Sequence, residues 1–296
     1  MDDTGVHLQT IEPLRLGVER RLAELSPADG AEPQALSAAA RYALLAPGKR
    51  FRPMLTLLAA RDFGAPEGAA MDVGCALEMV HAASLILDDL PSMDDASLRR
   101  GRPTTHKVYG EAVAILAAVG LLNRAFGVIA AESRLPASVR ADLAVGLSAT
   151  VGFEGLVAGQ ARDIAHREQV RAVDAIDLLN HQKTGVLIMA AAQSGALIAG
   201  APASRLKGVA EFARRVGLAF QIRDDLLDAE GGEAGKDAGK DAAMTTLVSA
   251  LGPEGARAAM REHLDIADAA LADAGCLDGL MSQYVRGLFF ARAAAA

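Results

Sequence analysis

The sequence predicts an all-α protein folded as a single domain over residues 1–296, and three observations predict it. Hydrophobic residues make up 51% of the chain, much of that Ala and Leu, while aromatics supply 4% and Trp is absent. Ala and Leu are strong helix formers, whereas strands draw on β-branched and aromatic residues. The apolar residues recur at helical spacing, with no strand-type alternation of convincing length. No low-complexity tail or interdomain linker divides a chain long enough to bury a large core.

Residues 11–25 place Leu14, Leu16, Val18, Leu22 and Leu25 between charges, an amphipathic first helix that Ser26-Pro27-Ala28-Asp29-Gly30 breaks. A short helix over 36–45 stops at Pro47-Gly48. After GKRFRP, a segment over 54–62 runs into Phe63-Gly64-Ala65-Pro66. Residues 69–90 read as one long, nearly all-apolar helix with Glu78 and His81 embedded, the signature of a central helix. Further helices are expected over 111–131, 136–151, 172–181, 184–199 and 204–227. A Gly/Asp/Lys-rich loop over 230–243 separates them from a C-terminal helical region that includes 253–274.

A net charge of −7 argues against a general nucleic-acid binder, which needs a basic footprint. Cys75 and Cys276 lie far apart without CxxC spacing and read as buried, reduced residues. The N-terminus opens acidic and has no apolar signal region, so a cytoplasmic location is expected. The most apolar stretches are residues 112–122, too short to span a bilayer, and 185–201, which carries Gln193 and Ser194 near its middle. No stable membrane insertion is expected.

Chemistry concentrates in two acidic clusters. Asp224, Asp225 and Asp228 form DDLLD near a helix end, and Asp224 and Asp228, four apart, project from one face. Such a motif alone is equally well read as a solvated acidic turn. Its setting, FQIRDDLLDA, is otherwise apolar, which makes unpaired carboxylates costly, and a hard cation with oxygen ligands resolves the conflict. The first cluster, Asp88-Asp89-Leu90-Pro91-Ser92-Met93-Asp94-Asp95, ends the central helix. Asp88 and Asp94 are six apart, so a straight helix points them to different faces; Pro91 predicts a local bulge that returns Asp94 to Asp88. Acidic clusters alone would repel a polyphosphate. Cations flank them: Lys49, Arg50 and Arg52 in GKRFRP, Arg99, Arg100 and Arg102 in LRRGRP, and Lys183, Lys236 and Lys240. Arg suits phosphate because its planar fork binds bidentately.

The stretch HAASLILDDLPSMDDASLRRGRPTTHKVYGEAVAILAA, with GKRFRP, GLVAGQARD, HQKTG and FQIRDDLLD, resembles the trans-isoprenyl diphosphate synthases. Within them it is most similar to bacterial geranylgeranyl diphosphate synthases of carotenoid pathways. The resemblance runs from about residue 36 to 252. It implies an antiparallel helical bundle around a deep central cavity (the isoprenoid synthase fold), usually as a homodimer. It also implies about three Mg²⁺ ions, with Asp88, Asp94 and Asp224 as ligands and Asp89, Asp225 and Asp228 in support. Arg99, Lys183, Thr184, Gln221 and Lys236 match positions that hold the allylic diphosphate. Lys49, Arg52, His81 and Arg100 match the isopentenyl diphosphate site; by itself His81 reads as a core histidine. One departure stands out: where the family often has a Lys before a Thr pair, this chain has Ala243-Met244-Thr245-Thr246.

The implied reaction is ionisation of the allylic diphosphate, attack by the double bond of isopentenyl diphosphate, and proton loss. Ser84 and Ala83 precede Asp88 by four and five residues, on the order of 6–7 Å down the central helix. Small side chains there leave the space beneath the site open, and the expected product is geranylgeranyl diphosphate, with farnesyl diphosphate as the alternative. Replacing Ala83 by Phe is expected to shorten it. A class I terpene cyclase generally needs aromatic faces for migrating cations, and this chain has no Trp, three Tyr and eight Phe. A non-catalytic synthase subunit could lose its acidic motifs, but both are intact here.

Overall fold

A computed structural model describes residues 10–165, 173–229 and 246–290. The described chain is helical apart from one short hairpin. Helices α1 (Glu12–Leu25), α2 (Gln34–Leu44), α3 (Phe51–Asp62) and α4 (Glu67–Asp88) lead to strands β1 (Leu98–Arg99) and β2 (Arg102–Pro103). Then come α5 (Thr105–Tyr109), α6 (Glu111–Ala131), α7 (Ala137–Val151), α8 (Leu156–Ala165) and α9 (Val173–Asn180). A π-turn, His181–Gly185, enters α10 (Val186–Ile198), followed by α11 (Ala203–Ala229), α12 (Leu247–Asp273) and α13 (Leu280–Phe290).

The fold class is all-α, and most expected helices lie within two or three residues of their predicted ends. Helix α4 is the central rod: Ala70, Val73, Cys75, Ala76, Met79, Val80 and Ala83 are fully buried along it. Close approach needs small residues on its surface. A Cβ on Gly74 would stand 3.0 Å from the Pro53 Cα, so α4 and the first turn of α3 touch nearly backbone to backbone. Both cysteines are buried and unpaired.

Two cores form. The larger gathers α1–α4, α6, α7 and α10–α13; a smaller one, of Ile176, Ile222, Leu226, Leu247, Val248 and Ala256, pins α9 and α12 against the end of α11. Ile222 and Leu226 flank Asp224 and Asp225 on that helix, so the apolar residues anchor it and leave the carboxylates on its other faces.

Four features depart from the sequence reading. The acidic motif after α4 does not bulge within a helix. The helix ends at Asp88, because Pro91 cannot continue it, and Pro91–Asp94 turns back on itself. The RRGRP segment forms a hairpin whose turn residues Arg100 and Gly101 have φ of 52° and 73°, the paired left-handed conformations that tight hairpins need. Helix α12 starts before Pro253: Thr246 caps it, accepting from the Ser249 backbone N–H while the Ser249 hydroxyl accepts from the Thr246 N–H, and Gly252, at φ 72°, kinks it. Finally, the apolar stretch over 112–122 is too short to span a bilayer only when taken alone, since the helix runs the full expected length. It belongs to Glu111–Ala131, one of three segments among the described residues, with Gly68–Asp88 and Ala137–Ala165, long and apolar enough to cross a membrane by length and composition. Gly68–Asp88 lies mostly inside the bundle, whereas α6 exposes Ile115, Leu116 and Val119 on its outer face.

Candidate active site

The turn after α4 gathers the first acidic motif. The Asp94 backbone N–H donates to the Asp88 carbonyl at 2.9 Å, Asp95 N–H to Leu90 at 3.0 Å and Ala96 N–H to Asp89 at 3.2 Å. Six residues of separation thus collapse to a single turn, and Asp94 returns beside Asp88 as expected. The hairpin then carries Arg99 back over the motif, where its Nε donates to Asp89 Oδ1 at 2.7 Å and a terminal nitrogen lies 3.8 Å from Asp88. Burial works against the Arg99 charge, but the bond to Asp89 and the surrounding aspartates outweigh it and hold its pKa above the usual value.

The π-turn bridges the two motifs. Lys183 Nζ lies 3.4 Å from Asp88 Oδ1, and the hydroxyl of the next residue, Thr184, donates to Gln221 Oε1 at 3.3 Å. Gln221 in turn donates to Asp225 Oδ1 at 2.9 Å. Adjacent residues therefore reach opposite acidic walls, Lys183 directly and Thr184 through Gln221. A wider turn of this kind redirects side chains that a regular helix would space evenly, and such turns concentrate at functional sites. Glycines permit the packing: a Cβ at Gly159 would lie 2.8 Å from the Lys183 backbone nitrogen, and one at Gly217 would lie 2.9 Å from the Gly185 Cα.

Helix α8, absent from the sequence reading, brings two functional residues. Gln160 Nε2 donates to Asp88 Oδ1 at 2.7 Å, and buried Asp163 accepts from Lys183 Nζ at 2.8 Å. Burial would lower the Lys183 pKa, but Asp88 and Asp163 raise it, so its charge is secure. Both residues lie in GLVAGQARD, whose polar residues at helical spacing were the available signal.

A second cationic cluster forms where α3, α4 and the hairpin meet. Arg100 Nη1 donates to the Pro47 carbonyl at 2.9 Å and packs over Gly48, which sets it beside the GKRFRP segment. Exposed Lys49 precedes Arg50, whose φ of 49° turns the chain sharply into α3. Burial pushes the Arg52 guanidinium down to about 10, with Glu78 raising it, Arg100 lowering it and Asp224 raising it. His81 is pushed well below the ordinary histidine value by burial and by Arg52, Arg100, Arg99 and Arg50, so it is neutral at neutral pH.

Ser84 is half-buried, one turn from Asp88 on the same face of α4, and its hydroxyl donates to the His81 carbonyl at 2.9 Å. Ala83 is fully buried. Asp228 is exposed at the end of α11. Lys236, Lys240 and Met244 lie outside the described residues.

The donor set fits a hard divalent cation: carboxylate oxygens of Asp88 and Asp94 on one wall and Asp224 on the other. Among the described residues no three acidic, histidine or cysteine side chains converge as a complete metal site. A cation held here therefore needs further oxygens, which a diphosphate or water supplies.

A family model described as polyprenyl synthetase matches residues 33–265. The chain is 44% identical to a geranylgeranyl diphosphate synthase of Pantoea ananas, over 98% of this chain and 97% of that one. It is 43% identical to a farnesyl diphosphate synthase of Geobacillus stearothermophilus, over 88% of this chain and 89% of that one. Among solved structures, a Helicobacter pylori geranyltransferase complexed with magnesium and isoprenyl diphosphate superimposes with a TM-score of 0.81 at 28% identity, covering 94% of this chain and 93% of that one. Paired acidic motifs, a cationic cluster on either side and a match over most of the chain lead to one conclusion: this chain belongs to the polyprenyl synthetase family of prenyltransferases.

Proposed function

We propose that the enzyme condenses isopentenyl diphosphate head-to-tail (1′-4) with allylic diphosphates and makes geranylgeranyl diphosphate as its main product. The observation that carries this reading is the pairing of two distinct cationic clusters with one acidic gap. Arg99 and Lys183 stand against the first acidic motif, while Arg52, His81 and Arg100 gather behind it. One diphosphate at each cluster brings an ionising carbon and a double bond together.

Asp88, Asp94 and Asp224 would hold Mg²⁺, with about three ions expected and Asp89, Asp225 and Asp228 in support. When bound, the metal supplies positive charge that stabilises the departing diphosphate. The chain's own residues do the rest. Arg99, Lys183 and Thr184 fix the allylic diphosphate, with Gln221 orienting Thr184 across the gap. Lys183 meets charge developing on the leaving group without having to reorganise, because Asp163 already holds it. Arg52 and Arg100 clamp the second diphosphate, and neutral His81 can donate a hydrogen bond to it. The apolar faces of the bundle exclude water that would quench the cation.

The relatives support the twenty-carbon product, and the Geobacillus relative keeps farnesyl diphosphate as the second reading. The exposed apolar face of α6 supports a homodimer, with a second copy rather than lipid covering Ile115, Leu116 and Val119. The test is direct: purified enzyme, Mg²⁺, isopentenyl diphosphate and each allylic starter, with products sized by chromatography. Twenty-carbon diphosphate from every starter supports the proposal. Release of hydrocarbon would make the chain a cyclase, and no turnover would point to a dependent subunit.

A further inference from the structure

Glu78 takes no part in the chemistry above, yet it sits inside the second cationic cluster. It is 3% exposed; Oε1 accepts from Arg50 Nη1 at 3.1 Å, while Oε2 is buried without a hydrogen-bond donor. A shut-in carboxylate oxygen left this way costs stability, so its retention calls for a reason. Arg52 answers with a buried Nε that likewise has no partner. The two residues face the same α3–α4 seam, and the Glu78 charge acts on the Arg52 guanidinium. Gly74, Glu78 and His81 follow one another along the face of α4 that meets the first turn of α3, at the point where Gly74 lies against Pro53.

Arg50, by contrast, is fully committed. Its Nε and Nη2 donate to the two oxygens of Glu19 at 2.9 and 3.1 Å, and Nη2 also donates to the Ala46 carbonyl at 2.6 Å. This buried guanidinium offsets the strain of its left-handed backbone and sets the direction of α3. Arg52 and Arg100 are left crowded around His81, like charges that repel before any diphosphate arrives. Glu78 is the carboxylate whose charge acts most strongly on Arg52, ahead of Asp224.

We infer that Glu78 is a positioning residue for the isopentenyl diphosphate subsite: it locks the turn into α3 through Arg50 and holds the arginine pair assembled before substrate binds. The inference rests on the assignment of Arg52, His81 and Arg100 to that subsite. Preassembly lowers the ordering cost of binding, so its loss weakens one substrate selectively.

Glu78→Gln keeps the shape and the acceptor for Arg50 but removes the charge. Kinetics with each diphosphate varied in turn should show KM for isopentenyl diphosphate rising roughly ten-fold, with the allylic KM and kcat within about two-fold of the parent. In an Arg52→Ala background, Glu78→Gln should add nothing further. Arg52→Ala alone separates the two levels of the argument. If it leaves KM for isopentenyl diphosphate unchanged, the subsite assignment itself fails. If it raises that KM while Glu78→Gln leaves it unchanged, lowers it, or raises both KM values alike, the positioning role is overturned. Glu78→Asp retains the charge while withdrawing the carboxylate, and decides the question if the Gln variant does not fold. It should give the same split in smaller measure, and equal effects on both substrates would overturn the role.

Discussion

Ser84 lies on the Asp88 face of α4 with part of its surface open, whereas Ala83 is enclosed by the core. A Phe at position 84 should cap the space beneath the site and shift the product towards fifteen carbons with little change in melting temperature. A Phe at 83 should also shorten the product, but forcing a ring into packed core adds a stability cost of about 1–3 kcal/mol. Chromatography of the products and thermal melts of both variants check this; a twenty-carbon product from both removes position-based control by this turn of α4. Acid sensitivity follows from three histidines. Burial lowers the pKa of His81, His181 and His263, helped by Arg52 and Arg100 around the first, Arg214 beside the second and Arg215 beside the third. The unfolded chain takes up these protons near pH 6.5, while the folded chain refuses them until lower pH. Stability is therefore fully present above about pH 6.5 and lost as pH falls below it. Asp62 and Asp177, raised by burial, act in the opposite sense but only nearer the carboxylate range. Denaturant midpoints at about pH 7.5 and about pH 5.5 should differ, and His81→Gln should flatten the slope.

At the scale of elements, legibility tracked the reach of the forces involved. Long helices announce themselves through local apolar periodicity, which is why α4 and α6 were readable from spacing alone. The acidic motifs were readable too, because carboxylates in an apolar setting demand a partner. Helix α8 was not, since Gly152, Gly155 and Gly159 give its surroundings the look of a loop; the first two lie against backbone at the end of α7, and Gly159 lets α8 pack against the π-turn. Gln160 and Asp163 were missed with it. The π-turn and the hairpin depend on contacts distant in sequence. Helix α13 is a further case, because its start is capped from the far end of α3. Asp62 accepts from the backbone N–H groups of Leu280 at 2.7 Å and Met281 at 2.9 Å. The capped helix then stacks Tyr284 on Phe51 and sets Phe289 edge-on to Phe220. Removing the cap with Asp62→Ala should cost about 1–2 kcal/mol and expose the segment before α13 to limited proteolysis. Unchanged stability and protease resistance would mean that the aromatic contacts suffice.

The whole molecule is organised around two surfaces that α4 and α6 separate. The inner face of α6 buries Ala114, Ala117, Ala118 and Leu121 against the bundle, while Leu116 is 57% and Val119 55% exposed on the outer face. An apolar stripe of that kind needs a cover. Leu116→Arg should convert the proposed homodimer to monomer in sedimentation velocity, and a species unchanged in mass would place the dimer contact elsewhere. Inside, α4 holds Glu78 and His81 at one diphosphate cluster and Asp88 at the other on a single uninterrupted rod. That rod works as a ruler. Each added residue advances the helix by about 1.5 Å and turns it by about 100°. One alanine inserted between Ser84 and Leu85 would therefore leave both clusters chemically complete while aiming them at different points. The enzyme should still bind each diphosphate separately and no longer join them, so the bond-forming distance is written into the pitch of the backbone.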